Sequence, residues 1–352
     1  MSSKNKQIKK IVNLILKIAI SVGSIAYLGY LLGIEKVGLF EQVSVYFSKT
    51  DVAGFPLFVV FFLMFVNWGA EIFKWRLLAN YMMPVSYFLA VKSTLAGVAA
   101  SVFTPFRVGS YFGKAALFPH RLRGKGLILQ LFNAMAMFVV NFFFGLLFIG
   151  FLGSYANDSV FGINTNVLSF IGFFSAGIVL VFWFLFVYVK ILMTTFDRWK
   201  FTMNWRKYFD LVNDSGYKKL STTLILVSVL RYLAITYQYV LVYEVFGVGL
   251  EGWQTFVAAG TLFFVFQFLP VFNAVELGVT RTAILSLIIT TFGLMPELTP
   301  EITLSITLAS FFIWVVNLAI PALIGSVFLN QGYHIISWST SVKRTLLKIK
   351  KI

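Results

Sequence analysis

The sequence contains no cysteine. That removes disulfides, thiolate metal ligands and cysteine nucleophiles together. Histidine is almost as scarce: His120 and His334 stand far apart, so no His-rich metal or haem centre is expected, and no cofactor. Charged residues make up only 12% of the chain, with 13 Asp and Glu against 29 Lys and Arg. A soluble domain carries about 25%. What fills the space is apolar: 59% hydrophobic residues, 41 of them Phe, and a mean hydropathy of +0.87. A water-soluble fold of 352 residues could not hide so much apolar surface, so its solvent must be lipid. Spans of about 20 residues each consume nearly the whole length and leave no room for a soluble catalytic domain. The chain therefore reads as a single integral membrane domain over 1–352.

Long apolar runs lie at 11–32, 55–79, 126–152, 165–193, 220–246 and 302–329, each long enough to span with some tilt. The first follows a basic tail and is too long for a cleaved signal, which implies an uncleaved first helix. Two further apolar stretches, 88–118 and 253–292, are interrupted by proline and charge. Each is read as a hook, either a pair of half-helices turning back within the membrane or a tight pair of spans. The expected fold is all-α: a polytopic helical membrane protein with six long spans and two Pro-broken hooks.

The cations sort by side. Lys4, Lys6, Lys9 and Lys10 lie in the 1–10 tail, Arg121, Arg123 and Lys125 follow the first hook, and Lys343, Arg344, Lys348, Lys350 and Lys351 lie in the 333–352 tail. The 190–219 loop holds seven more Lys and Arg, whereas on the opposite side 33–54 holds only Lys36 and Lys49, and 153–164, 247–252 and 293–301 hold none. This is a positive-inside pattern with both termini cytoplasmic, in what is expected to be a prokaryotic inner membrane. The formal charge of +16 is thus a topology signal, and no nucleic-acid partner is implied. Residues 196–211 mix Trp199, Trp205 and Phe209 with Arg198, Lys200 and Arg206; a helix on the inner leaflet and an ordinary aromatic-belt linker are equal readings. With this orientation, 55–152 and 220–329 are each a span, a hook and a span, of opposite sense. That layout reads as an inverted repeat, which in many transporters places a site at the midplane; the alternative is that any six-span protein can be cut into look-alike halves, and the hooks favour the repeat.

The hooks hold the candidate chemistry. In the first, Thr104-Pro105 has the form of a helix start, with Thr as cap and Pro in the first turn. Arg107, Ser110 and Lys114 then share a face. A cation in a first helical turn opposes the helix dipole, so Arg107 needs an anion, from the protein or from a ligand phosphate. The alternative is that Arg107 and Lys114 snorkel to the headgroups. In the second hook, Asn273 and Glu276 have capping-box spacing. Arg281 is poorly placed to pair with Glu276 on one helix and needs another partner: Glu71, Glu244 or a ligand. Gln267, beside Pro270, is a supporting polar group.

Within the spans, Arg231 lies near mid-helix with Ser228 and Gln238 on its face, Glu71 shares a face with Asn67 and Lys74, and Gln130, Asn133 and Asn141 follow one side of 126–152. For the amides, interhelical hydrogen bonding is the favoured reading. Arg231 has the stronger functional claim, because a full charge in mid-span costs more than an amide.

Pro105, Arg107, Gly109 and Lys114, together with Leu269, Pro270, Glu276, Gly278 and Arg281, make the chain resemble the lysylphosphatidylglycerol synthase transmembrane region, a flippase-like membrane family that also occurs as stand-alone proteins. Ser110 stands where that family usually has Glu. The soluble aminoacyl transferase of the two-domain members has no counterpart here, so lysyl transfer is not implied. The resemblance implies movement of a phospholipid or polyprenyl-phosphate-type amphiphile between leaflets, with no covalent chemistry. Arg107, Lys114, Arg231 and Arg281 are the candidate headgroup-binding residues. Pro105, Gly109, Pro270 and Gly278 are the candidate helix breaks. Membrane lipids are the expected partners; a homo-oligomer is left open. The rival readings are a polyprenyl-phosphate glycosyltransferase and a non-transporting scaffold. The first would need paired acids, and Glu35, Glu41 and Asp51 in 33–54 lack such spacing.

Overall fold

The computed structural model describes residues 54–102, 104, 107–156, 160, 163–187, 216–269 and 280–329. Among them the architecture is all-helical. In chain order the helices are α1 Gly54–Ala79, α2 Tyr87–Ser101, α3 Gly109–Ala116, α4 Arg123–Tyr155, α5 Thr165–Val187, α6 Tyr217–Val245, α7 Gly252–Val265, α8 Arg281–Thr291 and α9 Pro300–Leu329. Helix α9 is interrupted by a π-turn at Val315–Ala319. Five helices, α1, α4, α5, α6 and α9, are long and apolar enough to cross a membrane. They coincide with five of the six expected spans. The sixth, 11–32, lies outside the described residues, as do 196–211 and both basic tails.

The outer faces carry the residues that water would reject. Phe55, Phe58, Phe62 and Phe65 on α1, and Phe170, Phe174, Phe182 and Phe184 on α5, are exposed, as expected where lipid is the solvent. Since lipid gives apolar helices no hydrophobic reason to associate, close packing and interhelical hydrogen bonds must hold them. Helices α4 and α5 meet at glycine: a methyl group on Gly172 would strike the backbone of Gly150. Near the same crossing Ser154 Oγ lies 3.1 Å from Ser169 Oγ.

Both hooks contain a break. Helix α2 stops at Ser101 and α3 resumes at Gly109; α7 stops at Val265 and α8 begins at Arg281. The first helix start falls later than Thr104-Pro105. The first residue of α3 is Gly109, so Arg107 precedes the helix and does not sit in its first turn. Arg107 takes φ = 56°, a left-handed conformation uncommon for a side-chain-bearing residue. Thr104 still serves the helix start, because its hydroxyl accepts the Gly109 N–H at 2.7 Å. Pro105, Pro270, Asn273, Glu276 and Gly278 lie outside the described residues.

Helix α2 starts on Ser86, whose hydroxyl accepts the Leu89 N–H at 3.2 Å, and α3 folds back along it. Added methyl groups on Gly109 and Gly113 would strike the carbonyls of Ala100 and Ala96. Arg123 then closes the end of α3: its Nε donates to Phe118 O and its Nη2 to Ala116 O, both at 3.1 Å. Cationic donors on the last carbonyls suit both their unsatisfied lone pairs and the helix dipole.

Two apolar cores result. One gathers Val60 and Met64 with Tyr239, Val242, Leu262, Leu285 and Ile313. The other gathers Trp75 and Leu78 with Phe118, Leu129, Phe132, Leu224 and Ile225. On α1 the polar residues Asn67, Glu71 and Lys74 are buried between the stretches that serve these two cores.

Candidate charge cluster between the two cores

Glu71 is the centre of the site. Its Oε1 accepts Lys114 Nζ at 2.5 Å and Asn133 Nδ2 at 2.7 Å. Its Oε2 pairs with Arg231 Nη1, and Lys74 Nζ lies 3.5 Å away. Four helices supply these groups: α1 gives Glu71 and Lys74, α3 gives Lys114, α4 gives Asn133 and α6 gives Arg231. The remaining donors are also placed. Lys114 donates to Gln130 Oε1 at 2.9 Å, Lys74 to Ser228 Oγ at 2.9 Å and Arg231 Nε to Asn67 Oδ1 at 2.9 Å. Indole rings lie against two of the cations, Trp75 at 5.1 Å from Lys114 Nζ and Trp68 at 5.8 Å from the Arg231 guanidinium.

Burial is near complete. Lys74 is 0% exposed, Lys114 2% and Glu71 6%, whereas the Arg231 side chain retains 13%. Arg231 is therefore the most accessible cation of the cluster. Counting charges, three cations face one carboxylate, a surplus of two positive charges. The indole N–H of Trp68, beside Arg231, has no hydrogen-bond acceptor among the described residues. Formal positive charge thus exceeds what the described carboxylates offset.

The polar contacts continue along α1. Asn67 Nδ2 donates to Asn317 Oδ1 at 3.3 Å, Asn317 Nδ2 to Gln238 Oε1 at 2.9 Å and Gln238 Nε2 to Val60 O at 2.7 Å. Lys74 to Val60 is about 20 Å of helix at 1.5 Å per residue, against a hydrocarbon core about 30 Å thick. Asn317 occupies the middle of the π-turn, a local widening often found where a helix serves a site.

The structure brings together the three polar stripes seen in the sequence, on α1, α4 and α6, and the amides of Asn67, Gln130 and Asn133 do bridge helices. The snorkelling alternative for Lys114 is corrected: its stem lies against Gly97, and its ammonium is sealed beneath Glu71 and Gln130 rather than directed to headgroups. Ser110, on the same short helix, is half-buried. Arg231 finds its anion in the protein, at Glu71.

The other candidates lie elsewhere. Arg281, 7% exposed, opens α8 and donates from Nη1 to Tyr239 Oη at 2.7 Å. Neither of the two carboxylates expected as partners takes that role: Glu71 is engaged by Arg231 and Lys114, and Glu244 is exposed. Tyr239 lies eight residues beyond Arg231, about 12 Å along α6. Arg107 is exposed, and its charge is felt at Arg231. Gln267 is half-buried and donates to Phe263 O at 3.3 Å. Glu35, Glu41 and Asp51 lie outside the described residues.

Sequence reading missed Trp68, Trp75, Tyr239 and Asn317. Asn317 alone left a signal, as an amide in an apolar span; an aromatic ring in a Phe-rich chain looks like lipid-facing bulk until its contacts are known. No family model, no characterised protein and no solved structure matches this chain.

Proposed function

We propose that this protein is a lipid translocator, moving a phospholipid or polyprenyl-phosphate-type amphiphile between leaflets of a prokaryotic inner membrane. The observation that carries this reading is the surplus of buried cations around Glu71. An Arg at a span centre costs about 2.5–3.5 kcal/mol on insertion scales, so a net positive cluster of this kind is retained for a purpose. An anionic headgroup would offset that cost and suits the planar guanidinium fork. The helix breaks in both hooks support the reading, since interrupted helices in transporters flank sites at membrane depth. The resemblance to the flippase-like family points the same way. In this proposal both termini are cytoplasmic, 55–152 and 220–329 are inverted repeats, and Arg107, Arg231 and Arg281 contact the headgroup at successive stages of its passage.

Purified protein reconstituted in proteoliposomes with a fluorescent anionic lipid provides the test, read by an impermeant quencher that reports the outer leaflet. Parental protein should expose the inner-leaflet label to the quencher. R107Q, R231Q and R281Q should each slow exchange about tenfold or more, and R231K should rescue poorly because it loses the bidentate fork. If all three Gln variants fold and exchange lipid at the parental rate, the cations are structural and the proposal fails.

A further inference from the structure

The translocator reading leaves open which headgroup the cluster takes. Charge balance narrows it. Lys74, Lys114 and Arg231 face the single carboxylate of Glu71, and no other carboxylate among the described residues reaches them. An ordinary phosphodiester headgroup brings one negative charge and would leave the cluster positive. A phosphomonoester brings about −1.5 to −2 at neutral pH, its second pKa lying near 6. It also presents three terminal oxygens as acceptors, where a phosphodiester presents two.

Geometry gives that anion a side of approach. Lys74 and Lys114 are sealed, but Arg231 is partly open and lies over Trp68, whose buried indole N–H lacks an acceptor among the described residues. An oxygen placed between Arg231 and Trp68 would satisfy the indole N–H and begin to neutralise the surplus. Glu71, which now holds Arg231 and Lys114, occupies the place of an internal anion that the incoming phosphate would partly relieve.

The geometry points to a phosphomonoester lipid, such as a polyprenyl or alkyl monophosphate, as the ligand of this cluster, engaged first by Arg231 and the Trp68 indole. This assignment rests on the translocator reading and adds to it the charge state of the headgroup.

The experiment compares three probes on the purified full-length protein in neutral detergent: dodecyl phosphate, its methyl diester, and inorganic phosphate. At pH 7.5 dodecyl phosphate should bind about tenfold tighter than the methyl diester, as expected for one additional charge-assisted contact. Its affinity should fall as pH drops through 6 and the monoester loses its second charge, while the diester stays level. R231Q should abolish the difference between the two esters. W68F, a milder change that keeps an aromatic ring but removes the indole N–H, should weaken the monoester severalfold, as loss of one hydrogen bond would. Equal affinities for the two esters at pH 7.5 would mean the cluster carries less charge than its side chains imply, and would overturn the assignment while lipid exchange in proteoliposomes still supported a translocator. Inorganic phosphate binding as tightly as dodecyl phosphate would overturn it too, in favour of a soluble anion. Loss of lipid exchange in the parental protein, with either ester result, would instead sink the translocator reading.

Discussion

Glu71 divides its carboxylate between two cations that two different helices supply. Oε1 takes Lys114 from the short helix after the first break, and Oε2 takes Arg231 from the middle of α6. One acidic side chain thus ties α1, α3 and α6 together.

Removing that carboxylate should cost far more than removing a cation. E71A leaves three buried cations without a counter-charge, and breaking a buried pair from one side costs about 3–5 kcal/mol. K74M takes away one surplus charge, and the Ser228 hydroxyl left behind still donates to Leu224 O at 2.7 Å. Its expected effect is below about 1.5 kcal/mol in either direction. Thermal unfolding of both variants in the same detergent checks the order; similar losses in the two would contradict it.

A methyl group at Gly97 should disturb the cluster from a neighbouring helix. The added carbon would lie 2.7 Å from Lys114 Cγ and 3.0 Å from Ser110 O. G97A should destabilise by about 1–3 kcal/mol, the usual cost of overpacking. K114A removes Cγ, so the double variant should lose less than the two single losses combined, by about 0.5 kcal/mol or more. Strict additivity in a double-mutant cycle would show that the lysine stem is not what the methyl meets.

A phenol hydroxyl helps hold Arg281. Y239F deletes the oxygen that accepts its Nη1 at 2.7 Å and should cost about 1–3 kcal/mol, more than a neutral hydrogen bond, because a buried guanidinium N–H loses its acceptor. Chemical unfolding of Y239F beside Y237F, whose ring is exposed, separates this contact from a general effect of losing a phenol.

At Arg107 charge and backbone strain can be told apart. R107G should relieve a left-handed residue worth about 1 kcal/mol while deleting its charge, whereas R107Q deletes the charge alone. R107G should melt at or above the parental temperature, and R107Q at or below it. Both should slow lipid exchange if the charge contacts the headgroup.

Orientation has its own test, which the absence of native cysteine makes clean. A cysteine in place of Asn166 or Glu297 should react with an impermeant maleimide in intact cells. One in place of His120 or Lys218 should react only after lysis. The reverse pattern would invert the topology and place the sequence's cations outside.

The five long helices were legible because each span records its own solvent: apolar on the lipid side, with polar residues at helical spacing where it meets a neighbour. Asn67, Glu71 and Lys74 could be placed on one face by counting, as could Gln130 with Asn133, and Ser228 with Arg231. Which face met which could not, since nothing local links Lys114 to a carboxylate 43 residues earlier. The start of α3 was misplaced for a related reason. Thr104 and Pro105 have the chemistry of a helix start, but the close approach of Gly109 to Ala100 decides where the turn can begin. Tyr239 left no mark as a partner of Arg281, because a neutral phenol in an aromatic-rich span carries no charge to single it out, unlike Glu71 or Glu244.

The π-turn at Val315–Ala319 sets the phase of everything after it. A wide turn takes up one more residue than an α-turn, which is about 100° of rotation for the segment that follows. That segment carries Gly325, which lies so close to Leu95 O on α2 that a methyl group could not fit between them. Asn317 and Gly325 must therefore face two different neighbours at once, and the extra residue lets one helix do both. A single-residue deletion inside the turn would keep every apolar character in the span and leave its hydropathy almost unchanged. It would nonetheless swing one end of the helix out of register with the other, like a key cut correctly but rotated in its lock.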